Sequence, residues 1–175
     1  MNFKGLQISP PTDTTIVLTR TFNAPRRLVW LAMFTPDKMR RWMLPPPGWT
    51  MTVCECRARV GGALKLAWKS EEADPVMTLE GVFTEVVMHE RIVHTETMAL
   101  GSGQTIGHQV ETHEFAENGG ISTMRITQVY DSKDDRDGAL ASGMEQGMEA
   151  GYKQLDAVLA QPAQASSRQS NPSTT

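Results

Sequence analysis

Four histidines and a handful of carboxylates are the side chains of this 175-residue chain that could move a proton or hold the polar end of a ligand. His94, Glu111 and His113 fall inside runs that read as β-strands. Successive side chains of a strand point to opposite faces, so residues two apart share a face. Phe115 therefore carries Glu111 and His113 to its own side, and Ile92 does the same for His94, unless a bulge shifts the register. With Phe115 and Ile92 facing inward, the three form a polar group inside an apolar interior. Such a group can recognise a ligand or act as a proton-transfer pair. The plainer alternatives are a strand out of register, which leaves all three solvated, or side chains that only hydrogen-bond one another. His89 and His108 lie beside turn-forming residues and read as surface positions.

Little else in the chain points to chemistry. There is no glycine-rich phosphate loop, nucleophile elbow or His-Glu-x-x-His, so no catalytic set, metal site or cofactor is expected. Cys54 and Cys56 lie two apart in a strand-like run, with Cα atoms roughly 6.5–7 Å apart, where a disulfide would strain the backbone. A Cys-x-Cys pair can begin a metal site, but no second pair completes it, and both read as small sheet residues. A net charge of -3 argues against nucleic acid as the main partner. No apolar run approaches the length of a membrane span, and the N-terminus carries no secretory pattern, so a cytoplasmic protein is expected.

The elements that must position these residues follow from local pattern. Ile16, Leu18 and Phe22 share a parity in a first strand, and Pro25 then opens a short helix. Thr35-Pro36-Asp37 starts a second helix, capped by Thr35 and ending near Trp42. Leu44-Pro45-Pro46-Pro47-Gly48 reads as an extended loop. Strands are expected near 50–58, 62–69, 75–87, 91–99, 106–116 and 120–130 as an antiparallel meander, with Gly101 to Gly107 a flexible hairpin. Inward parity falls to Cys54, Cys56 and Ala58, to Leu64, Leu66 and Trp68, and to Met124, Ile126 and Gln128. One helix is expected over 132–160, with Leu140, Met144, Met148, Leu155 and Leu159 on a stripe. Gly143, Gly147 and Gly151 recur beside that stripe at a cost of perhaps 2–3 kcal/mol relative to alanine. Close approach of helix to sheet, or room left for a cavity, would compensate. On the first account, leucine at 147 would overpack and destabilise by about 1–3 kcal/mol. Residues 1–13, with Ser9-Pro10-Pro11, read as a loose arm, 14–160 as one domain and 161–175 as a disordered tail.

Read in order, several segments resemble one family. Arg20-Thr21-Phe22-Asn23-Ala24-Pro25 enters a helix, and Trp42 precedes a Pro/Gly loop. Arg59-Val60-Gly61-Gly62, Gly81-Val82-Phe83-Thr84-Glu85-Val86, Glu90-Arg91-Ile92-Val93 and Ser142-Gly143-Met144-Glu145-Gln146-Gly147 follow in turn. Over residues 14–160 this order resembles the START-like (SRPBCC) superfamily, specifically bacterial relatives of the activator of heat-shock protein 90 ATPase. The resemblance implies an α+β helix-grip fold: a curled antiparallel sheet around a long C-terminal helix, two short helices after the first strand, and a cavity between helix and sheet. Met43, Met148 and His94 stand where the family more often has aromatic residues, which makes the expected cavity more adaptable and more polar.

That cavity is expected to be lined by Met33, Trp42, Leu66, Trp68, Met144 and Met148, with His94, Glu111 and His113 reaching into it. Eleven methionines fit an adaptable pocket or ordinary core filling. The function implied is binding of a hydrophobic or amphipathic small molecule, with a homodimer left as an open option. One alternative is an enzyme of the cyclase or hydrolase sort, using a cavity His/Glu pair. The other is a chaperone-associated stress-response protein. The eukaryotic activator carries a separate chaperone-binding domain for which this chain has no room, so that last reading has the least support.

Overall fold

The computed structural model describes residues 5–43, 45, 47–71, 76–101 and 103–161. Eight strands form a single antiparallel sheet. They are β1 (Gln7–Thr12), β2 (Thr15–Phe22), β3 (Trp49–Cys56), β4 (Ala63–Ser70), β5 (Val76–Val87), β6 (Arg91–Leu100), β7 (Gln104–Asn118) and β8 (Ile121–Tyr130). Across the sheet the order is β1-β2-β8-β7-β6-β5-β4-β3, so β3 to β8 are a meander and the β1–β2 hairpin joins it beside β8. Helices α1 (Arg26–Phe34) and α2 (Pro36–Trp42) follow β2, and α3 (Lys133–Ala141) and α4 (Met144–Leu159) follow β8. The sheet curls around the C-terminal helix, giving the helix-grip α+β fold.

Alternation decides which face is buried. In β2 every second residue (Ile16, Leu18, Arg20, Phe22) is buried, and in β8 the same holds for Ser122, Met124, Ile126, Gln128 and Tyr130. Those faces meet α1 and α4 in one core with Val29, Trp30, Trp42, Tyr152 and Leu155. Arg20 is the exception in chemistry. Its buried guanidinium bridges Asp156 (3.0 and 2.7 Å) and Glu149 (3.2 Å) on α4 and lies 4.7 Å from the Phe22 ring centre. A buried cation needs such partners, and these tie β2 to α4. In β5, Gly81 sits between inward Leu79 and Phe83, where a β-carbon would stand 1.8 Å from the Thr95 carbonyl oxygen. Only glycine lets β5 and β6 approach so closely.

The structure corrects several expectations. Gln7–Thr12 is not a loose arm but an edge strand paired with β2. Its two prolines are tolerated because the strand is outermost and its register breaks between Ser9 and Thr12. The two short helices accordingly follow the second strand. The expected helix over 132–160 is two helices: Gly143, at φ 82°, ends α3 and starts α4. Leu140 lies on α3, before that break, and is exposed rather than on the buried stripe. Thr35 makes no side-chain cap to α2. β7 begins at Gln104, so the expected flexible hairpin is mostly strand. Leu44 and Pro46 of the proline loop and residues 162–175 of the expected tail lie outside the described residues.

Candidate functional site

Between the sheet, α2, α3 and α4 lies a cavity of about 550 Å³. An apolar void of about 150 Å³ already admits benzene, so this is more than a packing fault. Its wall includes every one of Met33, Trp42, Leu66, Trp68, His94, Glu111, His113, Met144 and Met148. Met43 and Met98 line it too, whereas Met77 packs on the core outside it. Trp42 is fixed by its indole N–H, which donates to the Ala32 carbonyl at 2.9 Å, and by stacking on Tyr152 at 5.7 Å. Gly147 faces the cavity, and a β-carbon there would meet nothing within 4 Å. The overpacking expected for leucine at this position therefore has no basis. Gly151, one turn on, is the close-approach residue: a β-carbon would stand 3.4 Å from the Trp42 carbonyl oxygen and 3.6 Å from its ring.

One end of the cavity is polar. His94 pairs with Glu111 across β6 and β7, and Ile92 with His113, so the parity that groups these three holds. All three are buried. His113 Nε2 donates to Glu111 Oε1 at 2.5 Å, and Gln128 Nε2 donates to Glu111 Oε2 at 2.7 Å. His94 Nε2 donates to Glu96 Oε1 at 2.9 Å. Gln109 Nε2 bridges Glu96 Oε2 (2.8 Å) and Glu111 Oε2 (3.3 Å), and the Tyr130 hydroxyl donates to Gln128 Oε1 at 3.1 Å. The imidazoles of His94 and His113 stack at 5.5 Å. Their Nδ1 atoms are buried without a hydrogen-bond partner among the described residues. The three side chains thus do hydrogen-bond within a network, but one that forms part of a cavity wall.

Burial alone would raise the pKa of Glu111, but His113, then His94 and the Gln128 amide, outweigh it and hold the carboxyl below its usual range. Burial alone would lower His94, yet Glu96 and Glu111 hold it above its ordinary value. Burial raises the Tyr130 and Tyr152 phenols, and Glu111 adds to it, so both stay protonated. The Cys56 thiol, pushed up to about 12 by burial and then by Cys54, is no nucleophile, and both cysteines are free.

His94, Glu111 and His113 each offer a metal-ligand atom within 4.8 Å of the others. A metal bound by Glu111 and by His113 through Nε2 would have to displace the proton between them. The His113 Nδ1–H would then be buried without an acceptor, whereas ligating histidines normally donate that N–H to one. The Nε2 atoms thus fit a hydrogen-bond network better than a metal.

Glu96, Gln109 and Tyr130 were not singled out from the sequence, although alternation from His94, Glu111 and Gln128 puts each on the inward face. Tyr152 continues the α4 stripe four residues after Met148. His108, expected on the surface, has a side chain 40% exposed that meets Asp131 at 3.1 Å and also lines the cavity. His89, at φ 64°, packs its ring on Trp30 at 5.9 Å and is only partly exposed.

The family model for activator of Hsp90 ATPase homolog 1-like proteins matches residues 23–160. The chain belongs to that family. Its fold recurs in a crystal structure of a Rhodobacter sphaeroides protein at 26% identity and a TM-score of 0.81, covering 90% of this chain and 99% of that one. The Chromobacterium violaceum protein CV1439 is 27% identical with a TM-score of 0.67, covering 85% and 99%. Ms6760 from Mycobacterium smegmatis, at 20% identity, shares the fold with a TM-score of 0.77, covering 91% and 99%. No functionally curated protein matches the chain. The cavity lies between the C-terminal helix and the sheet, and no described helix is long and apolar enough to cross a membrane.

Proposed function

We propose that the protein binds a hydrophobic or amphipathic small molecule in the cavity between α4 and the sheet. The observation that carries this reading is the cavity itself: about 550 Å³, with a largely apolar wall and one cluster of buried polar groups. Small-molecule sites have this size and this division between apolar bulk and a few orienting polar groups. Met33, Trp42, Leu66, Trp68, Met144 and Met148 would hold the apolar body, with His94, Glu111 and His113 at its polar end. Methionines suit such a wall because an unbranched thioether adapts to irregular shapes. Two free thiols and a net charge of -3 accord with a reducing, cytoplasmic setting and with no nucleic-acid partner.

An enzymatic reading has one observation in its favour, the His113–Glu111 contact at 2.5 Å. Against it, a carboxylate held below its usual pKa is a weak proton acceptor near neutrality. The chaperone-associated reading takes its support from the family's name alone. Native mass spectrometry of freshly purified protein should reveal a bound small molecule, and titration with apolar compounds should change tryptophan fluorescence through Trp42 and Trp68. Met148→Trp should block that binding and leave the circular dichroism spectrum unchanged. An unaltered fluorescence response in Met148→Trp would refute the site. Turnover that His94→Ala and Glu111→Ala abolish without loss of binding would favour the enzyme.

A further inference from the structure

The polar end of the cavity is built almost wholly of acceptors. Both N–H groups of the Gln109 amide are engaged by Glu96 and Glu111, and one of Gln128 is engaged by Glu111. The Tyr130 hydroxyl hydrogen is engaged by Gln128. His94 and His113 each direct Nε2 at a carboxylate, and the Nδ1 of both is without a hydrogen-bond partner among the described residues. Among the described residues Glu96 accepts only from His94 and Gln109, whereas a carboxylate can take about four hydrogen bonds, so capacity remains on it.

Charge points the same way. Of the described residues lining the cavity, none is lysine or arginine, while Glu96, Glu111, Asp134 and Asp135 all line it. The ionisable rings facing the same space are His94, His108 and His113. Even with a proton on all three, the carboxylates would outnumber them. Arg20, the nearby buried cation, is committed to Glu149 and Asp156 and does not line the cavity. Phe34, Trp42, Trp68, Tyr130 and Tyr152 add an aromatic wall with no positive charge of its own to hold an anion.

From this we infer that the ligand is an amine: an apolar body ending in an ammonium or similar donor-rich cationic group, seated on Glu96 beside Glu111. Fatty-acid-like carboxylates are disfavoured, since no lysine or arginine awaits them and the carboxylates lining the cavity outnumber its histidines. This inference rests on the cavity-binding reading, and the experiment separates the two.

Three probes with one body test it: 6-phenylhexylamine, 6-phenylhexanol and 6-phenylhexanoic acid, each titrated against tryptophan fluorescence and against displacement of Nile red, a neutral apolar dye. The amine should bind at least tenfold tighter than the alcohol, and the acid at least tenfold weaker than the alcohol. Glu96→Gln, which keeps the shape, should bring amine and alcohol within threefold while Nile red still binds. An acid that binds as tightly as the amine overturns the head-group assignment and leaves the cavity reading intact. So does an amine preference that survives in both Glu96→Gln and Glu111→Gln. Failure of all three probes and of Nile red overturns the cavity reading, and this inference with it.

Discussion

Replacing Gly147 by leucine should stabilise the empty protein and obstruct ligand. A β-carbon at Gly147 meets nothing within 4 Å, and the position faces the cavity in the first half of α4. Leucine in a helix interior gains about 0.5–1 kcal/mol over glycine from backbone entropy and propensity. Partial burial of its side chain against Met144, Met148 and neighbouring wall adds up to about 1 kcal/mol. The sum is about 0.5–2 kcal/mol, or a rise of about 1–8 °C in Tm for a chain of this size. Gly151→Leu is the paired control. Its β-carbon would press on the Trp42 carbonyl and ring, so overpacking should cost about 1–3 kcal/mol. Urea unfolding of both variants, with m-values compared, reads the two signs directly. For a ligand that fills the cavity, Gly147→Leu should also weaken binding at least tenfold. A loss of stability at Gly147 equal to that at Gly151 would refute the reasoning, because it would mean that α4 is as closely packed at Gly147 as it is against Trp42 of α2 at Gly151.

Other outcomes follow from single contacts. Arg20→Ala removes a buried cation held by Asp156 and Glu149, whose own carboxylates reach solvent, and should cost about 2–3 kcal/mol by chemical denaturation. Gly81→Ala drives a β-carbon into the Thr95 carbonyl and should cost at least about 2 kcal/mol; a midpoint within error of wild type would show that β5 and β6 are not so close. Glu111 has a depressed pKa, so its ionisation contributes stability that is complete above the ordinary value of 4.5 and is lost as pH falls through the lower folded value. The stability difference between wild type and Glu111→Gln should shrink on acidification below that point. His94 has the opposite sign: its contribution is complete below 6.5 and fades as pH rises through its raised value, so a His94→Gln comparison should converge at alkaline pH.

Strand alternation is a local property, and it made most of the inward face legible. Knowing that Phe115 and Ile92 are apolar was enough to group Glu111, His113 and His94, because period-two geometry needs no partner strand. The same rule reached Leu66, Trp68 and Gln128, and would have reached Glu96 and Tyr130. The α4 stripe followed from the helical period in the same way. Local pattern went astray where context changes what a residue costs. Prolines forbid a central strand but not an outermost one, so Gln7–Thr12 is paired. A run of helix formers did not reveal that Gly143 would turn left-handed and divide it.

What the chain determined by itself is therefore the order of elements and the face each side chain takes, since both depend on neighbours a few residues away. What only the tertiary structure decided is distance. Arg20 meets Glu149 and Asp156 from 129 and 136 residues away. Gly151 touches Trp42, while Gly147 on the same helix touches nothing. Whether a glycine marks a close contact or the wall of a cavity depends on the separation of two surfaces. That separation is set by packing of the whole core, which no local pattern encodes.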